Sequence, residues 1–207
     1  MFKCKFKLKL NVIFFLTANN YLARGHLSPD ADFIYGEMQD ATYYYFNVAP
    51  QWQNFNNGNW KFVENAVRNL AKLQKKTLRV QTGTFQTLRL SDSKITLGKN
   101  SVLPVPLYFW KLVYDKQLKQ AIVFVAINHP LLKENDIPII YDLCSSESET
   151  LCEDLSWNFR TRKKAKKGLL YCCSYQSLKK KIPWLENLTT NDAANSNIGL
   201  LKNAVSE

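Results

Sequence analysis

The sequence predicts an α+β domain with a central antiparallel sheet flanked by helices. Residues 57–75 have the spacing of an amphipathic helix. Three later runs are rich in Val, Ile, Thr and aromatic residues, as strands are: 77–85, 102–114 and 120–128. The last two are expected to form a hairpin through Asp115-Lys116. We expect one domain over 1–186 and a polar, disordered tail over 187–207.

The first eighteen residues allow two interpretations. Four lysines between Met1 and Lys9 precede an apolar run that ends at Ala18, which is the layout of a secretion signal cleaved after Ala18. The same lysines alternate with mostly apolar residues, which is the period of a half-buried strand. These residues alone therefore do not decide between a secretion signal and a strand of the domain.

The predicted helix is defined by Trp60, Val63, Val67 and Leu70, which recur at steps of three and four residues. The two asparagines at 56–57 are suited to cap its start, and lysines at its end suit the negative pole of the helix dipole. Because Trp60 falls on the apolar face, we expect it to anchor the core.

The charge balance predicts a polyanionic partner. The 207 residues include 28 Lys and Arg against 17 Asp and Glu, a formal net charge of +11. Lysines and arginines that neutralise phosphates release counterions from nucleic acid, which favours binding. With 46% apolar residues and only 7 Gly and 7 Pro, the chain is not low-complexity or collagen-like. No run reaches the roughly 18 apolar residues that a spanning helix needs, so no membrane partner is expected.

The cysteines predict disulfides rather than a zinc site. Cys144, Cys152, Cys172 and Cys173 contain no CxxC pair. A bond between adjacent Cys172 and Cys173 would be strained, so each is expected to pair with Cys144 or Cys152, in either arrangement. Disulfides favour an oxidising, extracellular compartment. A glycosylation sequon at 187–189 is compatible with secretion.

The residues best suited to chemistry include His26 and Arg24. Hydrolysis of a phosphodiester needs a base that takes a proton from water, a cation that holds the non-bridging oxygens, and a metal ion at the leaving oxygen. A histidine is suited to act as the base because its usual pKa of about 6.5 leaves it mostly neutral at physiological pH. The second histidine, His129, follows a strand before Pro130 and is expected to be structural.

Three motifs resemble the signature of the DNA/RNA non-specific endonucleases, whose site is of the ββα-metal type. They are Arg24-Gly25-His26 with Pro29, Asn47-x-x-Pro50-Gln51, and Asn56-x-Gly58-x-Trp60-x-x-x-Glu64. The surrounding residues are most similar to the arthropod branch that contains secreted double-stranded ribonucleases. The resemblance implies a ββα-metal nuclease domain whose substrates are RNA and DNA, contacted mainly through the phosphate backbone.

The resemblance also implies a role for each motif residue. His26 would be the general base, and Arg24 would stabilise the transition state. Asn56 would be the direct protein ligand of one Mg²⁺, with Mn²⁺ as a substitute, and Glu64 would hold water around the ion. Asn47 would help to orient His26. Magnesium keeps several waters, so one Asn ligand is chemically reasonable.

Two departures from the family pattern bear on activity. The family usually has Asp before Arg-Gly-His, whereas this chain has Ala23, as in the arthropod branch. Relatives also carry several dozen residues before this motif, including strands. Cleavage after Ala18 would leave His26 eight residues from the new terminus. This favours the strand interpretation of 2–16 and a domain that lacks its N-terminal strands.

A basic run has two interpretations. Residues 160–167 hold six cations in eight positions, and 179–181 add three lysines within a predicted basic helix or turn at 174–186. The run is expected either to contact phosphate or to be a solvated loop.

Three functions follow, in order of support. The first is a secreted, Mg²⁺-dependent endonuclease that cuts double-stranded RNA and DNA without sequence preference. The second is a catalytically weak or inactive relative that binds polyanions through its basic face. The third is an intracellular nucleic-acid-binding module, which the cysteines disfavour.

Overall fold

A computed structural model describes residues 21–133, 143–144, 148–189 and 197–203. The expectations for 1–18, signal or strand, lie outside these residues, and so does Cys4. No helix within the described ranges is long and apolar enough to cross a bilayer.

The described chain contains eleven strands and five α-helices, and the strands β3 to β9 follow one another without an α-helix between them. The strands are β1 Leu22–His26, β2 Val48–Trp52, β3 Arg79–Thr87, β4 Arg89–Leu90, β5 Ser93–Lys94, β6 Thr96–Leu97, β7 Leu103–Pro104, β8 Pro106–Asp115, β9 Gln120–Ile127, β10 Leu170–Cys173 and β11 Gly199–Leu200. The helices are α1 Gly36–Ala41, α2 Gln53–Phe55, α3 Lys61–Leu73, α4 Ser148–Asp154 and α5 Tyr175–Lys181. Short 3-10 turns lie at Asp30–Asp32, Tyr45–Asn47, Lys99–Ser101 and Ala165–Lys167, and a π-turn spans Asn56–Trp60.

The central sheet has the order β10-β9-β8-β3, with neighbouring strands antiparallel, and β11 adds to β9 in parallel. The predicted hairpin is confirmed, since β8 pairs with β9 from Tyr108↔Ile127 to Asp115↔Gln120. Asp115 stabilises the turn by accepting hydrogen bonds from the backbone N–H groups of Gln117 and Leu118, at 2.9 and 3.0 Å. The predicted α+β class with a central antiparallel sheet is confirmed.

Both faces of the central sheet are covered. Residues that alternate along β8 face opposite sides: Phe109 and Val113 join a core that includes the apolar stripe of α3, whereas Tyr108 and Leu112 join a second core. The second core also contains residues of α5 and of the segment after it. Strand alternation therefore places α3, and the chain leading into it, on one face of the sheet.

The predicted helix is present, but its start differs from the prediction. Trp60 is fully buried, which confirms it as a core anchor. Asn56 has helical backbone angles and makes no capping hydrogen bond, because helical structure already begins in α2. The chain then kinks at Gly58, with φ −97° and ψ −126°. A Cβ there would lie 2.6 Å from the carbonyl oxygen of Lys167, so the kink needs glycine for its close packing against that residue.

The strands β1 and β2 form a separate antiparallel pair, with His26 opposite Val48. Asn128, fully buried after β9, ties this pair to the central sheet. Its Oδ1 accepts a hydrogen bond from Trp52 N at 2.8 Å, and its Nδ2 donates to the carbonyls of Pro50 at 3.1 Å and Pro106 at 2.8 Å. One amide thus bridges β2 and β8.

The disulfide prediction is confirmed. Cys144 pairs with Cys173, and Cys152 pairs with Cys172. The adjacent cysteines Cys172 and Cys173 of β10 point to opposite faces of the sheet, so the two disulfides lie in different cores.

The described part of the predicted tail differs from the expectation of disorder. Ile198 and Leu201 are buried, and Gly199–Leu200 form β11 beside β9. Trp157 also donates its indole N–H to the carbonyl of Leu201, at 2.9 Å. Burial of the few apolar residues in a polar segment accounts for this order. The single domain over 1–186 stays a prediction.

Replacing Asn128 by Ala is expected to lower the free energy of unfolding by about 2–4 kcal/mol, because it leaves three buried backbone groups without their partner. Urea denaturation followed by circular dichroism measures this loss. Asn57→Ala, at an exposed position, is the matched control and should change stability by less than about 0.5 kcal/mol. Equal stability of the two variants would contradict the bridging role.

Candidate active site

The predicted site residues lie in three places: Arg24 and His26 in β1, Asn47 just before β2, and Asn56 and Glu64 in the π-turn and the first turn of α3. Asp30 acts on the pKa of both His26 and Glu64, which places these two side chains near the same carboxylate.

Arg24 and His26 occupy alternate positions of β1, so their side chains leave the same face of the two-stranded sheet. Between them, Gly25 is buried beneath the side chain of Gln51: a Cβ at Gly25 would lie 2.2 Å from Oε1 of Gln51. The Arg-Gly-His and Pro-Gln motifs are therefore two sides of one packing contact.

The imidazole of His26 is half-buried, and its Nε2 is buried without a hydrogen-bond partner in the described part of the chain. The ring packs edge-on against Tyr43, with the ring centroids 4.5 Å apart. Burial lowers the pKa of His26 below its usual value, and the negative charge of Asp30 opposes that shift. His26 is thus held neutral at physiological pH, with one ring nitrogen left for another group.

Asn47 fixes the loop that follows His26. Its Oδ1 accepts from Ser28 N at 3.0 Å, and its Nδ2 donates to the carbonyls of Ser28 and Thr42, both at 2.9 Å. The backbone carbonyl of Asn47 accepts from Leu27 N at 2.9 Å. Asn47 therefore contacts the residues directly after His26 rather than its ring.

Arg24 lies over an aromatic ring. Its guanidinium carbon is 5.1 Å from the ring centroid of Tyr45, a cation–π distance, and Nη2 donates to the hydroxyl of Tyr45 at 3.4 Å. Its Nε is buried without a partner among the described residues. The arginine is thus positioned by a ring and keeps donors for an anion.

Glu64 lies in the first turn of α3, where both positive and negative side chains act on it. Burial raises the pKa of its carboxyl to about 7, and the charges of Asp32 and Asp30 act in the same direction. The positive charges of Lys111 and Arg68 act against that rise. Arg68 also pairs with Asp32, with Nε 3.0 Å from Oδ1, which ties α3 to the loop after β1.

Asn56 and Glu64 fit a hydrated magnesium ion better than a protein cage. Within the described residues there is no group of three or more His, Cys, Asp or Glu side chains that could hold a metal. The side chains of Asn56 and Glu64 are half-buried, and neither has a hydrogen-bond partner in that part of the chain. An amide oxygen and a carboxylate match the preference of Mg²⁺ for oxygen ligands, with waters at its other positions.

The basic run at 160–167 is divided between a structural and an exposed part. Arg162 is buried and pairs with Glu153. The lysines at 163, 164, 166 and 167 are exposed. Asn59 donates hydrogen bonds to the carbonyls of Thr161 and Gly168, which holds this run beside the π-turn that begins at Asn56.

His129 has the structural contact expected of it. Its Nδ1 accepts a hydrogen bond from Leu131 N at 3.2 Å, within the turn that follows β9.

Sequence reasoning missed several residues of the site. They are Asp30, Asp32, Tyr43, Tyr45, Arg68 and Lys111. The sequence pattern indicates two of them, because Arg68 follows Glu64 by one helical turn and Lys111 interrupts an apolar strand. No sequence pattern indicates the two tyrosines, because their contacts depend on the path of the loop between β1 and β2.

Comparison with known proteins places the chain in one family. The model of the DNA/RNA non-specific endonuclease family matches residues 13–178, which include all the site residues described above.

Three curated relatives are salivary proteins of insects. A salivary endonuclease of Lutzomyia longipalpis is 47% identical over 136 residues, covering 64% of this chain and 33% of that protein. Salivary protein Tsal2A of Glossina morsitans morsitans is 34% identical over 164 residues, covering 77% of this chain and 40% of that protein. A salivary endonuclease of Culex quinquefasciatus is 27% identical over 169 residues, covering 79% of this chain and 44% of that protein. The chain thus spans less than half the length of these relatives.

Replacing Asp30 by Asn is expected to lower the pKa of His26 further, because it removes the negative charge that favours the imidazolium form. Titration of the imidazole by NMR measures the shift. Asp40→Asn is the matched control, since Asp40 is exposed, acts on Tyr43 and has no resolved effect on His26. A raised or unchanged pKa in Asp30→Asn would show that Asp30 does not act on the ring.

Proposed function

The chain belongs to the DNA/RNA non-specific endonuclease family, and we propose on that premise that it hydrolyses phosphodiester bonds of double-stranded RNA and DNA in a divalent-metal-dependent reaction. The observation that carries the proposal is the buried, unpartnered Nε2 of His26 beside the free donors of Arg24. Unsatisfied buried polar atoms are rare in folded proteins, and a catalytic role is one explanation for them.

In the proposed reaction, His26 takes a proton from the water that attacks phosphorus. Burial lowers the pKa of His26, so the imidazole is neutral and able to accept a proton at neutral pH. The hydrogen bonds of Asn47 to Ser28 fix the loop that follows the base. A base held in place loses less orientational freedom when it reacts.

Arg24 holds the non-bridging oxygens of the scissile phosphate. An arginine stays charged throughout the pH range and presents several donors in one plane, which suits the charge that develops on the phosphoryl group. Its contact with Tyr45 uses one face of the guanidinium and one donor of Nη2, and leaves the other N–H groups for hydrogen bonds.

Asn56 would hold one Mg²⁺, or Mn²⁺ in its place, and Glu64 would accept hydrogen bonds from the waters around the ion. The ion would supply positive charge at the leaving oxygen. Glu64 is best suited to this as a carboxylate, and its pKa of about 7 makes its charge state sensitive to neighbouring groups near neutral pH.

Nucleic acid would bind through phosphates. The exposed lysines at 163–167 lie beside the π-turn that carries Asn56, so a strand at the site would pass within reach of them. Phosphate contacts carry no base information, which agrees with cleavage that ignores sequence. The two disulfides and the salivary relatives support secretion.

The alternative is a polyanion-binding protein with weak or no activity. The exposed lysines favour it, because they would attract nucleic acid whether or not His26 acts as a base. Metal-dependent cleavage distinguishes the two functions.

We expect the protein to cleave long double-stranded RNA and plasmid DNA in the presence of Mg²⁺. Cleavage should stop when a chelator removes the metal ion. Replacing His26 by Ala should lower the rate by roughly 10²–10⁴, the usual contribution of a general base. Gel electrophoresis of the products over time gives both rates. His129→Gln is the matched control, because His129 is the second histidine of the chain and its Nδ1 accepts a hydrogen bond within the turn after β9, and it should keep the rate of the unchanged protein.

Full activity of the His26→Ala variant would remove His26 from the mechanism. If the unchanged protein binds nucleic acid without cleaving it, the nuclease function is wrong and the polyanion-binding function is supported.

Replacing Lys163 and Lys166 together by Gln should weaken RNA binding and flatten its salt dependence, by roughly 0.9 in the log–log slope for each phosphate that the protein no longer neutralises. Fluorescence anisotropy of the His26→Ala protein in chelator measures this without cleavage. The control pair is Lys72→Gln with Lys116→Gln, exposed cations at the far end of α3. An equal effect of both pairs would mean that net charge matters and that the run does not touch the RNA.

A further inference from the structure

The sequence contains one acceptor triplet for N-linked glycosylation, Asn187-Leu188-Thr189. No other Asn in the 207 residues is followed by any residue and then Ser or Thr, so the chain offers a single acceptor. A triplet alone says little, because many arise by chance. Its place in the fold decides whether it can carry a sugar.

The backbone on both sides of Asn187 is fixed, while Asn187 itself is exposed. Leu185 and Leu188 are only 4% and 6% exposed, and both belong to the second core. Between them, Glu186 pairs with Arg79 of β3, with Oε1 2.5 Å from Nη2. The acceptor therefore lies on an ordered part of the surface, where a bound sugar would project into solvent.

The acceptor also lies away from the candidate active site. Leu185 and Leu188 pack in the second core together with residues of α5. The apolar stripe of α3, the helix that carries Glu64, packs in the first core on the opposite face of the central sheet. A sugar at Asn187 would thus leave the path of nucleic acid to the site open.

An exposed indole precedes the acceptor by three residues. Trp184 is 75% exposed, whereas the other four tryptophans of the chain are buried: Trp52, Trp60, Trp110 and Trp157. The ring of Trp184 lies against that of Phe85, with the centroids 6.4 Å apart. A sugar ring presents C–H groups on one face, and covering an exposed aromatic ring with them is favourable in water. Trp184 is therefore suited to pack against a sugar on Asn187.

We propose that Asn187 is an N-glycosylation site and that the first sugars of its glycan cover Trp184. The inference rests on the proposed secretion and not on the nuclease activity, because the sugar is added in the same oxidising compartment in which the two disulfides form. The donor is a lipid-diphosphate-linked oligosaccharide. A bond forms between Nδ2 of Asn187 and C1 of the sugar, the bond from C1 to the diphosphate oxygen breaks, and the amide gives up one proton.

The test expresses the full chain in insect cells behind an added cleavable secretion signal, so that entry into the secretory pathway does not depend on the chain's own first residues. Peptide-N-glycosidase should shift the secreted protein to lower apparent mass on a gel, and peptide mass spectrometry should place the sugar on Asn187. Asn187→Gln and Thr189→Ala should each abolish the shift, because they destroy the triplet. Thr189→Ser, which preserves the triplet, should keep it.

Val102→Thr supplies the matched positive control. It creates a second triplet at Asn100, in a turn where both Asn100 and Val102 are exposed, so this variant should carry two sugars. Secreted protein that carries no sugar on Asn187 overturns the inference, and a sugar on Asn100 would show that the transferase had reached the chain. Retention of the chain inside cells when the added signal is omitted would count against secretion and not against the site.

Thermal unfolding tests the contact with Trp184. Enzymatic removal of the glycan should lower the Tm of the unchanged protein by about 2–4 °C, because the indole becomes exposed again. In Trp184→Ala the two forms should unfold at nearly the same temperature, since no ring is left to cover. Phe62→Ala, which removes an exposed ring of α3, is the matched control and should keep the difference. An equal loss in Trp184→Ala would overturn the covering of Trp184.

Discussion

The site depends on buried polar groups that attach a two-stranded sheet to the body of the protein. A pair of strands as short as β1 and β2 has too little core of its own to be stable in water. Asn128 holds β2 through three buried hydrogen bonds, and Lys111 holds the chain after β1 through the carbonyl of Leu27. Arg24 and His26 are therefore positioned by groups that come from the central sheet, far away in sequence.

Burial then sets the electrostatics of the site in opposite directions for its two titrating groups. It lowers the pKa of His26 and raises that of Glu64, because both shifts favour the neutral form. A neutral imidazole is what a base requires, but a neutral carboxyl is of little use near a cation. The positive charges of Lys111 and Arg68 act against this second shift without cancelling it, since the pKa of Glu64 is still raised to about 7. The charge of Glu64 therefore depends on its charged neighbours near neutral pH.

The elements that depend on periodic patterns and short motifs were predicted correctly. Contacts between segments that are distant in sequence were not predicted. The stripe of α3, the β8–β9 hairpin and the pairing of Cys172 and Cys173 follow from local spacing. The start of the helix was wrong, because the π-turn at Asn56 exists to pack Gly58 against Lys167, more than 100 residues later. The role of Lys111 was missed for the same reason, since its partners lie in β3 and after β1.

The way in which the two β1 side chains are held explains how the site stays available to a substrate. His26 is packed by the ring of Tyr43, and Arg24 lies over the ring of Tyr45. Contact with a ring face or edge restricts a side chain without consuming its main hydrogen-bonding atoms. An ion pair at either position would fix the side chain as well, but it would also occupy the atoms that must meet water and phosphate. The aromatic loop between β1 and β2 therefore orients both side chains while leaving Nε2 of His26 and Nε of Arg24 without partners among the described residues, as the proposed phosphodiester chemistry would require.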